Sequence, residues 1–153
     1  MVASFIMDHL KTVTGDHDVV HTIEFDVERS IRILFIEDDE TIAALAREMF
    51  EEQGWQVQTC HDGNAAIEHL SGGVHYDFLL VDYGLPGIDG LEIVKRTRQL
   101  VHRARTPIVV LSATPVGLAA REAGADAFLQ KPQDMSSLVE TISRLLGERN
   151  SET

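Results

Sequence analysis

The chain has 153 residues, enough for one domain with its own apolar core, and 44% of them are hydrophobic. Its 25 acids and 13 bases give a formal charge of −12, which argues against direct binding to nucleic acid or an anionic membrane and for protein partners. One cysteine, Cys60, excludes an intrachain disulfide; with no basic-then-apolar leader and no apolar run of roughly 18–20 residues, a cytoplasmic protein is expected.

The first thirty residues stand apart. Residues 4–13 are expected to form a short helix with Phe5, Ile6, Leu10 and Val13 on one side. Residues 21–28 alternate, with Ile23, Phe25 and Val27 facing one way as in a half-buried strand. This N-terminal extension, residues 1–30, is expected to pack on the following domain or to join two copies as a homodimer. His9, His17 and His21 within it are read as neither metal ligands nor phosphate carriers.

From residue 31, short apolar runs alternate with helical patterns. Residues 31–36 form a β-rich run ending in Glu37, Asp38 and Asp39. Ile42, Leu45, Ala46 and Met49 lie at helical spacing, and Gly54 stops that helix. Residues 55–60 alternate with period two, and Asp62-Gly63 opens a helix through about Leu70. Residues 76–81 are continuously apolar except for Asp77, as expected of a strand covered on both faces. The turn Gly84-Leu85-Pro86-Gly87 leads to a helix from Gly90 to His102, and residues 107–111 form a second buried strand. Thr114-Pro115 reads as an N-cap with proline at the first helical position, and Gly124 ends a short helix. Residues 127–130 are a fifth strand. Leu138, Ile142 and Leu145 mark a last amphipathic helix, with a polar, disordered tail expected over residues 148–153. Five strands alternating with five helices predict an α/β fold, a doubly wound five-stranded parallel sheet whose site lies at the carboxyl ends of the strands.

At those ends stand Glu37, Asp38, Asp82, Ser112 and Lys131. Crowded carboxylates repel unless a hard cation neutralises them, and few protein ligands with water suit Mg²⁺ better than a Ca²⁺ cage. A carboxylate beside such an ion is a competent nucleophile toward phosphorus. Lys131 can neutralise phosphoryl oxygens, the Ser112 hydroxyl can donate to one, and Ala113 leaves room for the group. Taken singly, each residue has an ordinary structural use, as a helix cap, a turn starter, a surface lysine or a strand-end hydroxyl. Their joint placement, at the ends of four different strands, is the specific signal.

The sequence resembles the response-regulator receiver family of two-component signalling. The resemblance rests on Ile33-Leu34-Phe35-Ile36-Glu37-Asp38-Asp39, on His61-Asp62-Gly63, on Val81-Asp82-Tyr83-Gly84-Leu85-Pro86-Gly87-Ile88-Asp89-Gly90, on Leu111-Ser112-Ala113, and on the stretch from Glu122 to Lys131-Pro132. It covers residues 31–147 and implies the flavodoxin-like (βα)₅ receiver fold. It implies Asp82 as phosphoacceptor, Asp38 and Asp82 as direct Mg²⁺ ligands, Glu37 acting through a water, and the Gly84 carbonyl as a third protein ligand. It further implies a cis Lys131–Pro132 peptide, a two-state switch through Ser112 and Phe128, and a histidine kinase or histidine phosphotransfer protein as donor. Asp39 is expected to cap the first helix.

Two departures from the family pattern matter. Phe128 lacks a tyrosine hydroxyl, and only nineteen positions separate Ser112 from Lys131, so the helix after Thr114 is expected to be about a turn short. Without a further output segment, the module is expected to act by contact with an unidentified downstream protein, or as a phosphoryl shuttle or sink. The competing reading is a metal-dependent phosphohydrolase using Asp82. Such an enzyme needs a general acid two residues on and an inserted cap, where this chain has Gly84 and no long insertion. Slow self-dephosphorylation is the one hydrolytic activity expected. A receiver that never takes phosphate is disfavoured by the intact set of five, and flavin binding by the acidic first loop.

Overall fold

The computed structural model describes residues 29–151. The helix and strand expected within residues 1–28, and the homodimer contact assigned to them, lie outside the described residues. The strands β1 (Arg32–Ile36), β2 (Gln56–Cys60), β3 (Phe78–Asp82), β4 (Ile108–Ser112) and β5 (Ala127–Gln130) form one sheet in the order β2-β1-β3-β4-β5. Every neighbouring pair is parallel. The helices are α1 (Glu40–Glu51), α2 (Gly63–Ser71), α3 (Gly90–Gln99), α4 (Gly117–Ala123) and α5 (Leu138–Ser151). The strand order reverses at β1, so β1 and β3 diverge into opposite connections and leave a crevice at their carboxyl ends.

Both faces of the sheet are buried, and the period of two sorts the strand residues between them. Leu34 and Ile36 of β1, Leu79 and Val81 of β3, and Ile108 and Val110 of β4 join Ala66, Leu70, Ile93, Val94 and Ala120 from α2, α3 and α4. Ile33, Phe35, Phe78, Leu80, Val109 and Leu111 go to the other layer, against Phe50 of α1 and Leu138, Ile142 and Leu145 of α5. The apolar runs read as buried strands are thus buried on both sides, and β3 and β4 are buried at every position.

Short acidic caps start the first three helices. The Asp39 carboxylate accepts from the N–H of Thr41 at 2.9 Å and of Ile42 at 3.1 Å, as expected. Asp62 accepts from Ala65 N at 2.8 Å and Asp89 from Glu92 N at 2.9 Å. Gly124 closes α4 at φ 111°, in the left-handed region open to glycine.

Three boundaries differ from expectation. Helix α3 stops at Gln99, and a separate 3₁₀ turn, Val101–Arg103, completes the stretch. Thr114 does not cap α4. Its N–H donates to the Ser112 Oγ at 2.9 Å and its carbonyl accepts from Val116 N, a turn that holds Pro115 outside the helix and delays the start to Gly117. The resulting helix has 7 residues, the short element the spacing predicts. The polar tail expected from residue 148 continues α5 to Ser151 instead. Arg144 pairs with Glu148 at 2.9 Å one turn on, and Ser151 Oγ donates to the Glu148 carbonyl, so backbone and side-chain bonds extend the helix past its apolar stripe. Among the described residues no helix is long and apolar enough to cross a membrane.

Candidate phosphoryl and metal site

The register brings the expected residues to one rim. Ile36 lies opposite Val81, which places Glu37 beside Asp82, and Glu37 N donates to the Cys60 carbonyl at 2.9 Å. Asp82 ends β3 opposite Leu111. Ser112 ends β4 opposite Gln130, and Lys131, next in the chain, donates its N–H to the Ser112 carbonyl at 2.9 Å. Backbone pairing thus sets Asp82 and Ser112 at strand ends and Glu37 and Lys131 one residue beyond them.

Three of them are polar groups withdrawn from water: Glu37 is 2% exposed, Asp82 5% and Ser112 3%. Such burial is uncommon unless charges are matched. Lys131 supplies one match. Its Nζ donates to Asp82 Oδ1 at 2.7 Å and stands 3.6 Å from Glu37 Oε2. Burial works against the ammonium, yet the hydrogen bond and charge of Asp82, with Glu37 adding, hold the Lys131 pKa above its ordinary value.

One cation does not satisfy the cluster. Oxygens of Glu37, Asp38 and Asp82 all lie within 4.8 Å of one another. Glu37 Oε1 accepts from Asp39 N at 3.1 Å, but Oε2 is buried with no hydrogen-bond partner. Burial pushes the Glu37 pKa from 4.5 up to about 7, partly offset by the Asp39 N–H; Asp82 adds to the rise and Lys131 opposes it. A buried, orphaned oxygen in a nest of three carboxylates fits a small divalent cation, and the all-oxygen donor set suits Mg²⁺.

The remaining expected positions fall nearby. Asp38, Gly84 and Ala113 are exposed at the mouth of the crevice, and a Cβ built on Gly84 would lie 3.6 Å from Asp82 Oδ2. The Lys131–Pro132 peptide is cis. Phe128 is half-buried against the start of α4, where a Cβ on Gly117 would meet its ring at 3.0 Å. Sequence reading missed Gly90. A Cβ there would stand 2.4 Å from the Asp82 carbonyl oxygen and 2.9 Å from Tyr83 Cα, so α3 packs directly on the backbone that presents Asp82. The signal was available as a glycine just after the Asp89 cap, inside the buried start of a helix. Also unforeseen is His61, whose Nδ1 lies 3.1 Å from the Glu37 carbonyl and ties the end of β2 to the acidic loop.

Comparison with known proteins agrees with this geometry. The family model for the response regulator receiver domain matches residues 33–143. The transcriptional regulatory protein TcrA of Mycobacterium tuberculosis is 36% identical over 118 residues, which cover 75% of this chain and 46% of TcrA. The chain spans about half the length of the curated relatives it matches. Among solved structures, the receiver domain of the sensor histidine kinase PA1611 from Pseudomonas aeruginosa superposes with a TM-score of 0.70 at 26% identity, covering 77% of this chain and 98% of that one. That structure has a magnesium ion coordinated in its active-site cleft. The response regulator protein TrrA of Thermotoga maritima, in complex with Mg²⁺-BeF, gives 0.66 at 29% identity, over 75% of this chain and 98% of TrrA.

Proposed function

This chain belongs to the response regulator receiver domain family, and from that premise we propose that it takes a phosphoryl group on Asp82 within a two-component or phosphorelay pathway. The observation behind this reading is the buried Asp82 carboxylate, hydrogen-bonded to Lys131 at 2.7 Å and crowded by Glu37 and Asp38. A carboxylate so placed is desolvated, oriented by an ammonium and open to the rim on the side of Gly84 and Ala113.

In the transfer, one Asp82 oxygen forms the bond to phosphorus as the donor's bond to phosphorus breaks and its electron pair leaves with the donor group. Lys131 exchanges its bond to Asp82 for one to an equatorial phosphoryl oxygen, neutralising charge without moving far. Ser112 Oγ accepts from Thr114 N, which leaves its own hydrogen for a second phosphoryl oxygen. Glu37, Asp38, Asp82 and the Gly84 carbonyl are the groups that would hold Mg²⁺, which would supply positive charge to offset that of the carboxylates and the phosphoryl group. Ser112 and Phe128 form the switch on this reading, with Phe128 held next to Gly117 at the foot of the short α4. The donor is a histidine kinase or histidine phosphotransfer protein, and the net charge of −12 favours a protein as downstream target.

Incubation with a small phosphodonor and Mg²⁺, followed by intact-mass spectrometry, tests the proposal. The wild type should gain one phosphoryl group and Asp82→Asn none. A folded wild type that stays unlabelled, or an Asp82→Asn variant labelled at the same rate, would overturn it.

A further inference from the structure

The backbone pairing of β1 with β2 stops one rung short at the acidic rim. At one end of this parallel ladder Gln56 N–H donates to the Ile31 carbonyl at 2.8 Å, and at the other Glu37 N–H donates to the Cys60 carbonyl at 2.9 Å. Continued by one step, the alternation would have Asp62 N–H donate to the Glu37 carbonyl. Asp62 instead caps α2, its carboxylate accepting from Ala65 N at 2.8 Å. No backbone donor among the described residues takes the Glu37 carbonyl. The His61 ring does. Its Nδ1 lies 3.1 Å from that oxygen, and because a carbonyl can only accept, Nδ1 carries the hydrogen and donates it. A side chain thus makes the rung that the backbone leaves open.

The Glu37 carbonyl belongs to the peptide that joins Glu37 to Asp38. A peptide unit is planar, so a donor fixed on its oxygen fixes the direction in which the chain leaves for Asp38. Residues on either side are already held. Glu37 is tied by its N–H to Cys60 and by Oε1, which accepts from Asp39 N at 3.1 Å, and Asp39 caps α1. Asp38 stands exposed between them, and the orientation of this peptide decides where its carboxylate points. The donor is itself anchored. Cys60, just before it, is paired and buried. Gly63, two residues on, lies so near the loop after β3 that a Cβ would stand 2.6 Å from the Ile88 carbonyl. His61 is exposed, so apolar packing does not account for its place.

We propose that His61 is a positioning residue for the divalent cation: its bond to the Glu37–Asp38 peptide keeps the Asp38 carboxylate turned toward Glu37 and Asp82 and so raises the affinity for Mg²⁺. The inference rests on reading the rim as a Mg²⁺ site, and adds to it a residue that touches neither the ion nor the phosphoryl group. Groups that hold a ligand, rather than the ion, commonly set metal affinity in this way.

Calorimetric titration of the full chain with Mg²⁺ at pH 8, without phosphodonor, tests it. His61→Ala should bind Mg²⁺ about fivefold to tenfold more weakly than wild type, the effect of losing one oriented hydrogen bond. His61→Asn places an amide N–H near the position of Nδ1 and should bind within about twofold of wild type. In phosphoryl labelling, the Mg²⁺ concentration for half-maximal rate should rise in His61→Ala by the same factor, with the rate at saturating Mg²⁺ unchanged. Equal Mg²⁺ affinity in wild type and His61→Ala overturns the inference and leaves the reading of the rim standing. So does a loss that His61→Asn fails to repair, since it would come from general loosening of the loop. A folded wild type that binds no Mg²⁺ overturns both.

Discussion

Substituting Glu37→Gln should stabilise the cation-free protein, and increasingly so as pH rises. Folding carries the Glu37 carboxyl from an ordinary value of 4.5 to about 7. An acid with a raised pKa binds its proton more tightly in the folded state, so the native state loses stability as pH climbs from the unfolded value through the folded one. The full shift is worth about 3 kcal/mol, of which about 2.5 kcal/mol falls between pH 5 and pH 8. Glutamine keeps the shape and an acceptor for Asp39 N but has no charge to bury. In EDTA, the urea midpoint of Glu37→Gln relative to wild type should therefore move up by about 1–2 M between pH 5 and pH 8, given the usual denaturant sensitivity of small domains. Other titrating groups are common to both proteins and cancel in the difference. Parallel pH profiles would refute the argument, since they would mean that the ionised Glu37 is already well solvated or fully paired.

Mg²⁺ should act through the same group: thermal denaturation should show a larger rise in midpoint on adding Mg²⁺ at pH 8 than at pH 6, and little rise at either pH for Glu37→Gln. Gly90→Ala should slow phosphoryl labelling and lower the urea midpoint by the equivalent of about 1–3 kcal/mol, because the new methyl group falls 2.4 Å from the Asp82 carbonyl oxygen. Arg103→Met should cost about 2–4 kcal/mol in the same assay without affecting labelling, since this buried guanidinium donates to the carbonyls of Leu70, Gly72 and Val74 and lies 5.0 Å over the Tyr76 ring, far from the acidic rim.

The fold was readable because burial on both faces leaves so little freedom. Runs such as residues 78–81 and 108–111 are apolar at every position, and the acidic caps Asp39, Asp62 and Asp89 stand where their helices begin. The placement of Glu37, Asp82, Ser112 and Lys131 followed from the same logic, as each ends or directly follows a strand and parallel register brings strand ends together. What escaped was tertiary. Nothing in residues 114–117 announces that the Ser112 hydroxyl captures the Thr114 N–H and so takes away the expected cap. Arg103 reads as one more surface base in a His-Arg-Ala-Arg stretch, whereas three carbonyls, from the last turn of α2 and the loop after it, draw it into the interior. A charged side chain goes inside only when acceptors from distant sequence gather around it, and no local window holds that information.

The same distinction separates the stability of the domain from its chemistry. Glu37 and Asp82 lie at the carboxyl ends of strands whose preceding residues, from Ile33 to Ile36 and from Phe78 to Val81, are fully buried. The sheet can thus hold two carboxylates out of water beside a single ammonium, an arrangement that the cluster itself does not favour. The cost appears in the raised Glu37 pKa and its unpartnered oxygen. On the reading proposed here, positive charge arriving at the rim recovers that cost, so binding is favoured by relief of repulsion as much as by new bonds. A rim made comfortable in isolation, with Glu37 neutral, would be the more stable protein and the poorer receiver.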